Sequence, residues 1–338
     1  MDPVNDDDEP PTSTRTRPSR SASSRKRTRT DKTALNLQLL RSGARSAKKI
    51  VVFSGSGLSA TSGMSTFSTK GGLYDKAKAR YKLASGKLLF TSSWYSRRKR
   101  EAEAFFAEIH KEARKAHPAR GHEVLAALCS SGQLARHYTL NIDGLATRLP
   151  GMEGDVWDPD SNPSGHTVEM HGSVHELVCT ECGEARRIDE DDIARLCAET
   201  SVPCSTAACR EKSDGGSGEA QCMRFKVMMY DDAEGEYITP DDVMDLMEED
   251  IKEADLIIWV GISFEQSAST SYFRNVRRWL QEEDRHGDVP QFVINPSDDA
   301  LWNVLTASSN QGELNVFEVI GTADEVLPAL LPDVDCDG

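Results

Sequence analysis

No stretch of about 18 consecutive apolar residues occurs in this 338-residue chain, which leaves no segment long enough to cross a bilayer as a helix. The N-terminus opens MDPVNDDDEP, without the apolar stretch of a secretory leader, so no secretory signal is expected there. Without a leader, a disulfide framework is not expected from the eight cysteines, and their clustering carries more information than their number. An overall positive charge is also missing. The net charge is −15, although residues 15–32 hold eight Arg or Lys against one acid, Asp31. The remainder is strongly acidic and poorly suited to neutralising a phosphate backbone, so no sequence-specific nucleic-acid binding is expected. A basic partner, such as a lysine-rich protein tail, suits it better.

Hydrophobic residues make up 38% and charged residues 28%, as in a soluble globular protein with disordered additions. Residues 1–32 are polar, rich in Pro, Ser and Arg, and without hydrophobic period; they read as a disordered basic arm. Within it, Arg25-Lys26-Arg27-Thr28-Arg29 has the form of a nuclear localisation signal, and equally of a solvated basic run. Residues 331–338 read as an acidic tail.

Between these ends, strands and helices alternate. Leu35, Leu39 and Leu40 suggest a short helix, and Lys48–Phe53 (KKIVVF) is a buried strand ending at glycines. Helices are expected over Glu101–Ala116 and Gly121–Ser130, and a strand over Leu134–Thr139. Thr239-Pro240-Asp241-Asp242 combines a capping Thr, a first-turn Pro and acids at the positive end of the dipole, a strong helix start. A strand follows at Asp255–Val260, a helix at Thr270–Glu283, strands at Gln291–Ile294 and Asn315–Ile320, and a short helix near Asp324–Leu330. Alternation of this kind, with uniformly apolar strands, predicts an α/β fold: a Rossmann-like parallel sheet with helices on both faces. Residues 166–232 break the rhythm, holding six of the eight cysteines and a Gly/Ser-rich stretch, Ser213–Gly218, that reads as a floppy loop in a small inserted module. The Rossmann-like part would then be residues 33–165 and 233–330.

The first strand runs into Phe53-Ser-Gly55-Ser56-Gly57-Leu-Ser59. Glycines after a buried strand let backbone amides approach a pyrophosphate, although many ordinary turns also contain Gly-x-Gly. The dinucleotide fingerprint has a third glycine where Ala60 stands, so this is not an ordinary dehydrogenase loop. Together with Gly63-Met-Ser-Thr-Phe67-Ser68, the stretch resembles the sirtuin motif GAGxSxxxGIPDFR. Tyr138-Thr-Leu-Asn-Ile-Asp-Gly144 resembles YTQNIDG, Glu169-Met-His171-Gly-Ser173 resembles (E/L)HGS, Val260-Gly-Ile-Ser-Phe264 resembles VGTSL, and Gly321-Thr-Ala-Asp-Glu-Val-Leu327 resembles GxADEVL. The matches keep the family's order over residues 48–330, and the chain is identified as a divergent, fungal-like member of the sirtuin family.

That resemblance implies an NAD-dependent protein lysine deacetylase or deacylase that moves the acyl group to ADP-ribose and releases nicotinamide. It implies that His171 is the general base on a ribose hydroxyl, a task suited to imidazole, whose pKa lies near working pH. Gly55, Ser56, Gly57 and Ser59 would cradle phosphates, and Phe67 would shield the nicotinamide ribose. Asn141, Ile142 and Asp143 would line the nicotinamide pocket, and Gly261, Ser263 and Asn295 would contact phosphate and adenine ribose. Cys179-x2-Cys182 is half of a structural zinc site. The second half is irregular: the choice lies among Cys204, Cys209 and Cys222, and the pair Cys204-x4-Cys209, which begins 22 residues after Cys182, is preferred. Cys129 and Cys197 read as core. NAD and zinc are therefore the implied cofactors, an acylated lysine in a protein tail such as a histone's the implied partner, and the nucleus the expected location, with the cytoplasm as alternative.

Departures concentrate in the cofactor site. Ser65-Thr66 replaces Pro-Asp, Ser68 the Arg, Leu140 the Gln, Ile262 the Thr, Phe225 a Pro, and Asp231 a Gly. Each hydrogen bond lost with its partner left unpaired costs roughly 1–3 kcal/mol, so Leu140 and Ile262 together would weaken NAD by about one to four orders of magnitude if nothing compensates. Two alternatives follow: a sirtuin-like scaffold that binds without turnover, and a protein ADP-ribosyltransferase.

Overall fold

The structure, a computed structural model, describes residues 22–153, 166–209, 222–232, 238, 242–307 and 315–332. Helix α1 (Ala22–Ser46) leads into β1 (Ile50–Ser54) and the single turn α2 (Ser56–Ser59). Helices α3 (Leu73–Tyr81), α4 (Ser92–Arg97), α5 (Lys99–Lys115) and α6 (Arg120–Ser130) precede β2 (Leu134–Thr139). Next come β3 (Thr167–Glu169), β4 (Gly172–Val178), β5 (Ala185–Arg187), α7 (Glu190–Cys197) and β6 (Arg224–Val227). The chain continues through α8 (Val243–Glu253), β7 (Leu256–Val260), α9 (Ser267–Glu282) and β8 (Gln291–Asn295). It closes with α10 (Asp299–Ala307), β9 (Val316–Ile320), α11 (Ala323–Val326) and a tighter turn at Leu327–Leu330. No described helix is long and apolar enough to cross a membrane.

Six strands form one parallel sheet in the order β3-β2-β1-β7-β8-β9. The two-residue period of each central strand divides its side chains between two cores. Ile50 and Val52 of β1, with Leu256, Ile258 and Val260 of β7, pack beside Leu40, Leu125 and Leu327. Val51 and Phe53, with Ile257 and Trp259, pack beside Met247, Phe273 and Leu280. Phe53 pairs in register with both Tyr138 and Trp259, and the rings stack at centroid separations of 5.3 and 4.0 Å. The expected doubly covered parallel sheet is therefore present.

A second, antiparallel sheet, β5-β4-β6, forms the small module. Its core is continuous with helices from residues 73–115: Leu177, Cys179 and Phe225 share one cluster with Leu73, Phe90 and Phe106. The expected boundary at 166 shifts, because β3 pairs with β2 in the large sheet. Phe225, at the family's proline position, is fully buried against Phe106.

Helix α1 differs most from expectation. It starts at Ala22, so residues 22–32, including the Arg25–Arg29 run, are helical rather than disordered. No proline lies between Ala22 and Ser46, Leu40 and Ala44 are buried, and the Asn36 amide donates to the Glu318 carbonyl at 2.7 Å. A docked C-terminal half thus lets the rest propagate at little nucleation cost. Helix α9 begins at Ser267, before the expected Thr270. The Thr239-Pro240-Asp241 helix start, the Ser213–Gly218 loop, residues 1–21 of the arm and residues 333–338 of the tail lie outside the described residues.

Candidate active site

Strand order reverses between β1 and β7, which makes the C-terminal ends of these strands the natural crevice of a doubly wound sheet. A cleft of about 300 Å³ opens at that place. Gly55, Ser56, Leu140, His171, Gly261 and Ile262 line its floor, contributed by the loops after β1, β2, β3 and β7.

The glycines of the first loop have a packing role that the motif alone did not reveal. The Gly55 amide donates to the Val260 carbonyl and the Gly57 amide to the Gly261 carbonyl, both at 3.0 Å. A Cβ on Gly57 would lie 2.5 Å from the Gly261 Cα, and one on Gly55 2.7 Å from the Gly261 carbonyl oxygen. Gly261 itself holds φ +66°, a left-handed conformation. These three glycines allow two loops to cross in backbone contact. The Gly55 and Gly57 amides are thereby already engaged, so they do not face the cleft as free donors. Ser59 is buried; its hydroxyl accepts from the Asn141 side-chain amide at 3.1 Å. The same Asn141 amide reaches the Gly55 carbonyl, also at 3.1 Å. Asn141 thus fastens the loop after β2 to the loop after β1.

The remaining expected residues divide into two groups. Phe67, Ser263 and Ile142 line the cleft with Asn141. Asp143 lies deeper, in a recess of about 10 Å³ shared with Ser56, Phe67, Asn141 and Ile142. Such a volume suits about one water molecule, so an aromatic ring would require the recess to widen. Asn295 is a loop fastener: its amide donates to the Ile262 carbonyl at 3.1 Å, and its side-chain oxygen accepts from the Ser297 amide.

His171 sits with its Nδ1 3.1 Å from the Leu140 carbonyl. A carbonyl only accepts, so Nδ1 carries the proton and Nε2 keeps its lone pair. Burial pushes its pKa down to about 4, against the opposing effect of the Leu140 hydrogen bond. The imidazole is therefore neutral at physiological pH. Leu140 replaces a polar side chain of the family motif, yet its backbone fixes the histidine tautomer. Ile262 is buried, its Cγ1 3.0 Å from where a Gly55 Cβ would stand. His175, four residues beyond His171, belongs to a structural network: its Nε2 donates to the Asp143 carbonyl at 2.9 Å, and its Nδ1 meets His110 Nδ1 at 3.1 Å. Among the described residues, Glu169 has a buried oxygen without a hydrogen-bond partner, and burial, reinforced by Glu176 and Asp143, raises its pKa to about 8.

Cys179, Cys182, Cys204 and Cys209 converge, their sulfurs all within 4.8 Å of one another. The Cys179–Cys209 and Cys182–Cys204 pairs are each 3.8 Å apart. Thiolates about 2.3 Å from a tetrahedral zinc stand about 3.8 Å from each other, so the donor set fits that ion and is far too open for disulfides. The irregular second half is thus Cys204 and Cys209. Cys222 pairs instead through its backbone with Pro203, and its carbonyl accepts from Lys99. Cys197 is not core: it is exposed at the end of α7, its sulfur 3.0 Å from Lys111 Nζ. Sequence reasoning did not single out Tyr230 or Gln266, which line the cleft with Tyr74.

Comparison with known proteins agrees with this geometry. Residues 55–267 match the profile of the Sir2 family. The chain is 32% identical over 203 residues to the NAD-dependent protein deacetylase hst4 of Schizosaccharomyces pombe, covering 59% of this chain and 49% of that one. It is 28% identical over 240 residues to the NAD-dependent histone deacetylase HST4 of Saccharomyces cerevisiae, covering 64% and 60%. The matches thus span about half the length of these curated relatives. In fold, it superposes on a Sir2 homolog–NAD complex with a TM-score of 0.61 at 20% identity, covering 87% of this chain and 91% of that one. A TM-score of 0.62 at 18% identity relates it to a Sir2 complex with deacetylated p53 peptide and 3′-O-acetyl ADP-ribose, covering 88% and 97%. A family match over residues 55–267, more than half of the chain, together with a parallel sheet whose switch-point loops carry the motif residues, makes this protein a member of the Sir2 family.

Proposed function

We propose that the protein is an NAD-dependent protein lysine deacylase, and that the placement of His171 carries this reading. A neutral imidazole that lines the cleft, with Nδ1 committed to a backbone carbonyl and the lone pair left on Nε2, is prepared to take a proton. NAD, when bound, supplies an anomeric carbon from which nicotinamide departs as the acyl oxygen attacks. In that reaction His171 Nε2 accepts the proton of a ribose hydroxyl. The proton then resides on an imidazolium whose Nδ1–H remains held by the Leu140 carbonyl. Asn141 keeps the loop after β1 in place, while Phe67 and Ile142 form apolar walls that limit water. Asp143 is positioned by its acceptance of the Leu145 amide at 3.0 Å. Zinc at Cys179, Cys182, Cys204 and Cys209 would be structural, since four protein thiolates leave no open position.

The related chains named as protein and histone deacetylases support an acylated lysine as substrate. A histone tail and a nuclear location extend that reading, consistent with the acidic body and the Arg25–Arg29 run. Incubating the full chain with NAD and acetyl-lysine peptides tests the activity. Nicotinamide release and peptide deacetylation are expected, both lost in His171→Ala; wild-type release no higher than that variant's would refute the assignment. The narrow recess beside Asp143, with Leu140 and Ile262 in place of polar residues, favours a second reading as a non-catalytic NAD- or tail-binding scaffold. Calorimetric binding without turnover would select it.

A further inference from the structure

The cleft is apolar along Phe67, Phe90, Val227 and Met229, but one wall is hydrogen-bonding. Tyr74 of α3, Tyr230 beyond β6 and Gln266 before α9 meet there from three separate elements. The Tyr230 hydroxyl donates to Gln266 Oε1 at 3.1 Å, and the two tyrosine hydroxyls are 2.9 Å apart. With the Tyr230 proton committed to Gln266, Tyr74 must be the donor to Tyr230. This direction leaves the Tyr74 oxygen able to accept and the Gln266 Nε2 amide able to donate, both beside the cleft. A ligand hydroxyl, which both donates and accepts, complements this pair of groups.

Charge narrows the choice further. Among the described residues lining the cleft there is no Lys or Arg; the formally charged group there is Asp231. Burial strongly disfavours ionisation of Tyr74, and Tyr230 and Glu265 add to that effect. A carboxylate brought to the same wall would be desolvated with no cation in the cleft lining to pair with; Lys87 Nζ lies 6.0 Å from the Tyr74 ring centroid and is not among the lining residues.

We propose that Tyr74, Tyr230 and Gln266 determine acyl specificity, selecting a neutral acyl group that bears a hydroxyl near its carbonyl, such as 3-hydroxybutyryl, over the plain chain of equal length, and rejecting carboxylated groups such as succinyl. This inference rests on the deacylase reading above and adds the substrate class.

The test uses the full chain and one peptide carrying butyryl-, 3-hydroxybutyryl- or succinyl-lysine. In wild type, kcat/KM for 3-hydroxybutyryl should exceed that for butyryl by about tenfold, as one well-made hydrogen bond allows. Succinyl should fall at least about 100-fold below butyryl. In Tyr230→Phe the hydroxyl preference should shrink to within about twofold, because the directed chain is broken. Equal wild-type rates for the first two peptides, a preference that survives Tyr230→Phe, or succinyl turnover matching butyryl would each overturn the proposal. Fluorescence anisotropy of the same peptides separates this outcome from failure of the deacylase reading. If nothing turns over, that reading falls. Tenfold tighter binding of the hydroxybutyryl peptide would still support the specificity wall, and equal or absent binding would overturn it.

Discussion

Gly57→Ala is the substitution that most directly probes the loop crossing beneath the cleft. The new Cβ would stand 2.5 Å from the Gly261 Cα, 3.1 Å from its oxygen and 3.2 Å from its carbonyl carbon, where ordinary contact begins at 3.4 Å. All three are backbone atoms of a residue held in the left-handed region, so no rotamer change relieves the overlap. The loops must part by nearly an ångström. Overpacking of this kind costs about 1–3 kcal/mol. Losing the Gly57–Gly261 and Gly55–Val260 hydrogen bonds adds about 0.5–1.5 kcal/mol each. A total loss of about 2–6 kcal/mol should appear as a lowered urea midpoint with an unchanged slope. Gly287→Ala provides the control: among the described residues nothing lies within 4 Å of its Cβ, and its φ is not positive. That variant should remain within about 0.5 kcal/mol of wild type. Calorimetry with ADP-ribose should show at least about tenfold weaker binding for Gly57→Ala and no change for Gly287→Ala. Equal unfolding midpoints for the two variants would refute the argument that these glycines exist for a backbone crossing.

Removing the metal should act on the module rather than on the large sheet. Cys182→Ser, or chelation, is expected to reduce bound zinc from about one per chain to near zero by metal analysis, with a lowered first unfolding transition; undiminished zinc in Cys182→Ser would show that the four sulfurs do not form the site. Stability should also depend on pH in two opposed ways. His171 and His137 have folded-state values pushed by burial down to about 4 and about 3, below the ordinary 6.5. The unfolded chain therefore binds more protons below pH 6.5, and the stability these groups confer is present above 6.5 and lost as pH falls toward 4. Glu169 is raised from 4.5 to about 8. The folded chain then holds the extra proton, so its contribution is present below 4.5 and lost as pH rises to 8. Thermal melts across this range should show Glu169→Gln flattening the alkaline limb and His137→Gln flattening the acid limb; unchanged limbs would contradict the assigned burial effects.

The sequence by itself determined whatever is local. Apolar runs such as Asp255–Val260 specify strands because two faces of a covered sheet both exclude water. Motif residues directly after those strands occupy the switch-point loops because chain connectivity leaves them nowhere else. The Cys179/Cys182 pair was legible for the same reason, since its spacing is short, whereas His171 was marked by the resemblance of its Glu-Met-His-Gly-Ser segment to the family motif. Only the tertiary structure decided what depends on distant segments meeting. It chose Cys204 and Cys209 over Cys222, placed Cys197 at the surface, extended α1 to Ala22 through docking on β9, and moved β3 into the large sheet. It turned Gly55, Gly57 and Asn295 into fasteners of loop crossings, and it brought Tyr74, Tyr230 and Gln266, 156 and 36 residues apart along the chain, into one hydrogen-bonded wall. Periodicity and propensity report a residue's own neighbourhood, whereas the partners of a backbone amide or a phenol hydroxyl in a cleft are fixed by how whole elements pack.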